Sequence, residues 1–150
     1  MNFFKTEICV VDDDPLYSEV LCKFLSKENF IIRKFNSGLE VLDKLDKKPD
    51  IIFMDLHMDA INGLQASKIL KKRWPQVNIV LISSSENADI VLKENSADYD
   101  FFEPKSNELS GMLLQIENFQ RKKMRRFIFS VVLAILALLS VIFLIVNTLF

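Results

Sequence analysis

The feature that most constrains this chain is a short apolar run that ends in an acid, Ile51-Ile52-Phe53-Met54-Asp55. The run is too short for a helix and lacks polar alternation, so it predicts a strand buried on both faces, as in a parallel sheet covered by helices. Asp55 then lies at the carboxyl end of the strand, where open α/β sheets bind their ligands. Taken alone, Asp55 is better explained as a loop carboxylate or a helix cap.

Strand-like and helix-like segments alternate five times before residue 120. The predicted strands are residues 7–11, 30–35, 51–55, 78–82 and 99–102. Apolar residues at helical spacing follow the strands. After the first strand these are Leu16, Val20, Leu21, Phe24 and Leu25, and we expect them to form one buried helix face. Further helices are predicted at residues 86–94 and after a capping Ser106. This alternation favours a parallel sheet with helices on both faces.

The C-terminal segment differs from the rest in composition. Residues 127–146 are twenty residues without a charge, enough for a helix to cross the roughly 30 Å hydrocarbon core of a bilayer. This predicts a transmembrane helix over residues 127–150, in preference to a buried core helix.

Charge is distributed unevenly along the chain. Residues 1–120 carry 14 Lys and Arg against 20 Asp and Glu, whereas the juxtamembrane residues 121–126 carry five positive charges and no negative one. Such a cluster favours the cytoplasmic side and attracts anionic lipid headgroups. We therefore predict a globular domain (residues 1–120) in the cytoplasm, a basic segment and a single span, with the N-terminus inside. Cys9 and Cys22 are expected to be free thiols, as is usual in a reducing compartment.

Polar residues end four of the predicted strands at one edge of the sheet. They are Asp12 and Asp13, Asp55, Ser83, and Glu103 before Pro104. Together with the segments Val-Val-Asp-Asp-Asp-Pro, Pro-Asp-Ile-Ile-Phe-Met-Asp-Leu-His-Met and Asn-Gly, this pattern resembles the receiver domain of bacterial two-component response regulators over about residues 5–120. The resemblance implies a flavodoxin-like, doubly wound (βα)5 fold with strand order 2-1-3-4-5.

The resemblance also implies roles for individual residues. Asp55 matches the carboxylate that accepts a phosphoryl group from a histidine kinase or phosphotransfer protein. Asp12, Asp13 and Asp55, with the backbone carbonyl of His57, match the ligands of Mg²⁺, a hard cation that prefers oxygen. Ser83 matches the hydroxyl residue that reports phosphorylation.

Three positions depart from the family pattern. Glu103 stands where the family has a Lys that binds the phosphoryl group, and two like charges at ~4 Å repel by about 4 kcal/mol at an effective dielectric constant near 20. Asp100, three residues earlier, stands where an aromatic switch residue is expected, and Asp59 replaces a Pro. The segment from Ser83 to Glu103 is also two residues short. An alignment that gives Lys105 the role of the Lys carries little weight, because Lys105 follows the Pro.

Two functions are compatible with these features. One is a membrane-anchored, single-domain response regulator without enzymatic activity, phosphorylated at Asp55 and signalling by protein contact. The alternative is a pseudo-receiver, a module for phosphorylation-independent interaction or assembly at the membrane, which Glu103 and Asp100 motivate. Membrane lipid, a second copy of the chain or another membrane protein are the expected partners. Nucleic acid is not, because the basic cluster is only six residues long and adjoins the span.

Overall fold

The computed structural model describes residues 5–28, 30–84, 97–105 and 109–149. The predicted helix at residues 86–94 and the predicted cap at Ser106 lie outside these ranges. The elements are β1 (Glu7–Val11), α1 (Pro15–Leu25), β2 (Ile31–Phe35), α2 (Gly38–Lys44), β3 (Ile51–Asp55), α3 (Gly63–Arg73), β4 (Asn78–Ser83), β5 (Phe101–Pro104) and α4 (Ser110–Leu149).

The five strands form one parallel sheet in the order β2-β1-β3-β4-β5, which confirms the predicted fold. All five residues of β3 are buried, as their uninterrupted apolar character predicts. In the register, Val11 lies beside Met54 and Asp55 beside Ile82. The carboxyl ends of β1, β3 and β4 therefore share one edge of the sheet, and the residues that follow these strands are neighbours.

Caps determine where the helices next to this edge begin. Asp14 caps α1, accepting hydrogen bonds from the amides of Leu16 (2.8 Å) and Tyr17 (3.2 Å), and Pro15 occupies the first turn, where its missing N–H costs nothing. Asn62 and Gln65 form a reciprocal capping box at the start of α3.

The buried face of α1 is narrower than predicted. Ser18, Leu21 and Leu25 are buried, and their spacing of three and four residues defines one helix face. Leu16 and Val20 are 74% and 51% exposed, so the prediction that they face the core is wrong.

Strand β5 begins at Phe101, two residues later than predicted. Asp100 precedes it, and its Oδ2 atom accepts hydrogen bonds from the Lys71 ammonium (2.6 Å) and from the backbone N–H of Ile79 (2.8 Å). These bonds hold Asp100 at the amino end of the strand.

The far end of β5 shifts by the same two residues. Pro104 is its last residue, paired with Ser83, and is tolerated because β5 is an edge strand of the sheet. The chain therefore leaves β5 at Lys105 and not at Glu103.

Two compact units can be distinguished, Met1–Gln115 and Ile116–Phe150. Most of α4 belongs to the second unit; this helix is long and apolar enough to cross a membrane, and its apolar side chains from Phe127 to Val146 are exposed. By length and composition this helix is a candidate membrane span.

Candidate functional site at the carboxyl edge of the sheet

Three carboxylates converge at this edge. Asp12 and Asp13 follow β1, Asp55 ends β3, and one carboxylate oxygen from each lies within 4.8 Å of the others. Asp12 is fully buried and Asp55 is 4% exposed, whereas Asp13 is exposed. The structure thus brings together the three acids that the strand ends predict.

One oxygen of each buried carboxylate is held by a backbone amide. The Oδ1 atom of Asp12 accepts a hydrogen bond from the Asp14 N–H (2.9 Å), and that of Asp55 accepts one from the His57 N–H (3.3 Å). In both residues the second oxygen, Oδ2, faces a cation.

That cation is the ammonium of Lys105. Its Nζ lies 2.8 Å from Oδ2 of Asp12 and 2.9 Å from Oδ2 of Asp55, and the lysine side chain is only 13% exposed. The Lys105 backbone N–H donates to the Ser83 carbonyl (2.7 Å). The expectation that this pocket lacks a lysine is therefore wrong. The length of the segment after Ser83 was the sequence signal for this lysine. Counted to Glu103 the segment is two residues short of the family spacing, and counted to Lys105 it has the family spacing.

Glu103 has a different set of contacts. Its Oε1 atom accepts a hydrogen bond from the Gln115 amide (2.7 Å), and a Cβ built on Gly111 would come within 2.5 Å of its Oε2 atom. The carboxylate of Glu103 thus packs on the first turns of α4, and it is Lys105 that meets Asp55. The expected repulsion between Glu103 and a phosphoryl group on Asp55 assumed that Glu103 occupies the lysine position, which the structure gives to Lys105.

The position assigned to Asp100 changes for the same reason. Asp100 lies at the amino end of β5 in an ion pair with Lys71, so it is not at the pocket. The residue three positions before Lys105 is an aromatic one, Phe102, which is partly buried against the hydrophobic core.

Ser83 ends β4 and His57 follows β3, at the sheet edge that carries the acids. Ser83 is the last residue of β4 and is 1% exposed. His57 is exposed and contributes its backbone N–H to Asp55. A phosphoryl-sensing role for the Ser83 hydroxyl and a metal-binding role for the His57 carbonyl remain predictions.

Tyr17 is a pocket residue that sequence reasoning missed. The Lys105 Nζ lies 4.7 Å from the centre of its ring, and its hydroxyl is buried without a hydrogen-bond partner among the described residues. Burial, and then the charges of Asp12 and Asp55, raise the pKa of Tyr17 to about 12. Its place in the first turn of α1, directly after the acids of β1, was the available signal.

The electrostatics of the pocket keep Lys105 charged. Burial opposes the charge, but the bonds to Asp12 and Asp55 outweigh it, so the pKa of Lys105 is raised. Burial raises the pKa of Asp12, and the bond from Lys105 only partly offsets that shift. The Lys105 ammonium, on a side chain that is 13% exposed, thus balances part of the charge of the three acids.

Comparison with known protein families agrees with this geometry. Residues 8–116 match the family described as the response regulator receiver domain. The chain belongs to this family. This receiver domain is 26% identical over 114 residues to the DNA-binding transcriptional regulator NtrC of Proteus hauseri, covering 75% of the chain and 24% of that protein. It is 28% identical over 110 residues to the DNA-binding response regulator MtrA of Mycolicibacterium smegmatis, covering 70% and 48%. The chain thus spans less than half the length of these relatives.

Solved receiver domains share the fold. The response regulator TrrA of Thermotoga maritima, crystallised in complex with Mg²⁺ and BeF, is 25% identical, with a TM-score of 0.70 over 76% of this chain and 98% of that one. A CheY-like receiver domain protein of Methanospirillum hungatei is 15% identical, with a TM-score of 0.74 over 82% and 99% of the two chains. In the present chain, one carboxylate oxygen from each of Asp12, Asp13 and Asp55 lies within 4.8 Å of the others. They form a set of oxygen ligands that fits a hard divalent cation.

Proposed function

We propose that this receiver domain accepts a phosphoryl group on Asp55 from a phosphohistidine of a histidine kinase or phosphotransfer protein. The observation that carries the proposal is the Asp55 carboxylate itself, buried beside Asp12 and Asp13, with the Lys105 ammonium 2.9 Å away. The phosphorylated receiver domain would signal by contact with another protein, and no enzymatic activity of the chain is proposed.

The transfer moves one phosphoryl group between two nucleophiles. A carboxylate oxygen of Asp55 forms the new O–P bond, the N–P bond of the phosphohistidine breaks, and the imidazole nitrogen keeps the electron pair. Such transfers depend mainly on positioning and on neutralising charge. Lys105 supplies one positive charge beside the acceptor oxygen. Asp12, Asp13, Asp55 and the His57 carbonyl would hold Mg²⁺, which when bound neutralises further negative charge.

Two residues are suited to transmit the modification. The Ser83 hydroxyl would donate a hydrogen bond to a phosphoryl oxygen on Asp55, and Phe102 would act as the aromatic switch that family members carry three residues before the Lys. The hydrogen bond from the Lys105 N–H to the Ser83 carbonyl links the ends of β4 and β5. A shift at Ser83 would therefore be transmitted to the edge strand.

The proposal includes a membrane anchor formed by α4, with the receiver domain on the cytoplasmic side. Five positive charges in residues 121–126 support this orientation and an interaction with anionic lipid. Lys122, Arg125 and Arg126 line one side of the helix with Phe129, whereas Arg121 pairs with Glu117. Alkaline carbonate extraction should leave the chain in the membrane pellet, and protease added outside right-side-out vesicles should not cleave the receiver domain. Release by carbonate would contradict the anchor.

The pseudo-receiver alternative loses its motivation in the structure. It was based on an acid at the lysine position and on Asp100 as a defective switch. Glu103 bonds to Gln115 and Asp100 pairs with Lys71, while Lys105 lies in the pocket. We therefore favour the phosphorylated receiver.

The deciding experiment is phosphorylation of the full chain in detergent micelles by acetyl phosphate with Mg²⁺, measured by intact mass. The wild type should gain one phosphoryl group. Asp55→Asn should not, whereas Asp59→Asn, a matched control for an exposed acid in the following loop, should label like the wild type. A wild type that never labels, or an Asp55→Asn variant that labels fully, would overturn the proposal.

A further inference from the structure

The Lys105 ammonium has a third neighbour besides its two carboxylates. An ammonium carries three N–H donors. The nitrogen lies 2.8 Å from Oδ2 of Asp12 and 2.9 Å from Oδ2 of Asp55, and the centre of the Tyr17 ring lies 4.7 Å from it. This distance is within the range of a cation–π contact, which strengthens when the cation is shielded from water, as the 13% exposure of the Lys105 side chain indicates.

We propose that Tyr17 is a positioning residue whose ring holds the Lys105 ammonium against the acids of the pocket. The backbone of Tyr17 is itself held at the start of α1. Asp14 caps this helix and accepts a hydrogen bond from the Tyr17 N–H at 3.2 Å, while the Asp14 N–H donates to Asp12. The same short segment therefore places both the buried acid and the aromatic ring around the lysine.

The ring and the hydroxyl of Tyr17 can be tested separately, because only the ring is proposed to hold Lys105. It is buried and has no hydrogen-bond partner in the part of the chain that the structure describes. A buried hydroxyl without a partner is unfavourable for stability. The contact that the structure shows for this side chain at the pocket is made by the ring, so phenylalanine should replace tyrosine without loss of the lysine position.

The consequence of the contact between Tyr17 and Lys105 rests on the proposed function. If Asp12 and Asp55 give their oxygens to a metal ion and a phosphoryl group, Lys105 loses its present partners. The Tyr17 ring is uncharged and stays available during that exchange. It would keep the ammonium beside Asp55, where the transferred oxygens arrive.

The test measures the position of Lys105 without requiring phosphorylation. The full chain in detergent micelles is acetylated with limiting acetic anhydride, and the rate at each lysine is read by mass spectrometry of peptides. Lys71 is the internal reference, because its ammonium pairs with Asp100 at 2.6 Å and its side chain is 15% exposed. In Tyr17→Leu, the rate at Lys105 relative to Lys71 should rise about fivefold to tenfold, as expected for loss of a shielded cation–π contact. In Tyr17→Phe it should equal the wild-type rate.

Each outcome decides the inference. Equal rates at Lys105 in the wild type and Tyr17→Leu would overturn it, and so would equal increases in Tyr17→Phe and Tyr17→Leu, which would assign the effect to the hydroxyl. If circular dichroism shows that Tyr17→Leu is unfolded, Tyr17→Met is measured in its place with the same expectation. A wild type that never takes a phosphoryl group would contradict the proposed function but leave the acetylation result valid.

Discussion

Gly63 lies so close to Asp55 that a Cβ built on the glycine would come within 2.1 Å of the aspartate carbonyl oxygen. The Gly63 N–H also donates to the carbonyl of the next residue, Leu56, at 3.0 Å. Helix α3 thus begins directly against the backbone of the strand that carries the predicted acceptor. The absence of a side chain at residue 63 permits this approach, and no side-chain rotation could relieve the overlap.

We expect Gly63→Ala to lower the free energy of unfolding by about 3 kcal/mol, because the new methyl group overlaps backbone atoms. Gly111→Ala is the matched control. Its Cβ would meet only the end of the flexible Glu103 side chain, at 2.5 Å, and alanine gains about 1 kcal/mol of helix propensity over glycine. Urea unfolding of the two variants should therefore show a large loss for the first and a change within about 1 kcal/mol for the second. Similar losses in both would contradict the close approach at Gly63.

Lys105 and Glu103 should differ in their effect on the pocket. Lys105→Met leaves the Oδ2 atoms of Asp12 and Asp55 without their cation and should lower the free energy of unfolding by about 3 kcal/mol. It should also reduce phosphorylation by acetyl phosphate at least about tenfold, as expected for loss of roughly 1.4 kcal/mol of transition-state stabilisation. Glu103→Gln removes a charge that bonds to Gln115, so its phosphorylation should stay within about twofold of the wild type. A large loss of phosphorylation in Glu103→Gln with little loss in Lys105→Met would instead support the alignment that puts Glu103 at the lysine position.

Mg²⁺ should stabilise the fold by binding to the three acids. At a concentration one hundred times the dissociation constant, a ligand specific for the folded state adds about 2.7 kcal/mol. The melting temperature should rise with Mg²⁺ in the wild type and much less in Asp13→Asn, which removes the exposed member of the cluster. Asp59→Asn serves as the control for charge alone. A wild type whose melting temperature ignores Mg²⁺ would exclude the proposed metal site.

The two thiols should differ in reactivity. Burial raises the pKa of Cys9 to about 12, and its side chain is fully buried in β1. Cys22 is partly exposed, although burial raises the pKa of this thiol too. In the folded protein a disulfide reagent should modify Cys22, faster as the pH rises, and should modify Cys9 only after unfolding.

Cys9 should also make stability depend on pH in the alkaline range. The thiol has its ordinary pKa of 9.0 when the chain is unfolded and about 12 when folded, so the unfolded state loses its proton first. The free energy of unfolding should therefore fall as the pH rises above about 9, and this slope should be smaller in Cys9→Val. An equal slope in both proteins would show that Cys9 does not titrate differently in the two states.

Much of this molecule could be predicted from local patterns. The apolar run before Asp55 and the acids that end β1 and β3 are short-range features. The parallel topology follows from the alternation of elements, and a parallel sheet necessarily brings those acids to one edge. The convergence of Asp12, Asp13 and Asp55 thus required no knowledge of side-chain contacts.

The residue that meets these acids was decided only by the tertiary structure. An edge strand such as β5 can slide by two residues and keep the same faces, so its alternation does not determine its register. The register is set instead by Asp100, which bonds to Lys71 of α3 and to Ile79 of β4, both distant along the chain. That choice carries Lys105, rather than Glu103, to the acids and to the ring of Tyr17. Contacts between residues far apart in sequence therefore decide which side chain meets the acids.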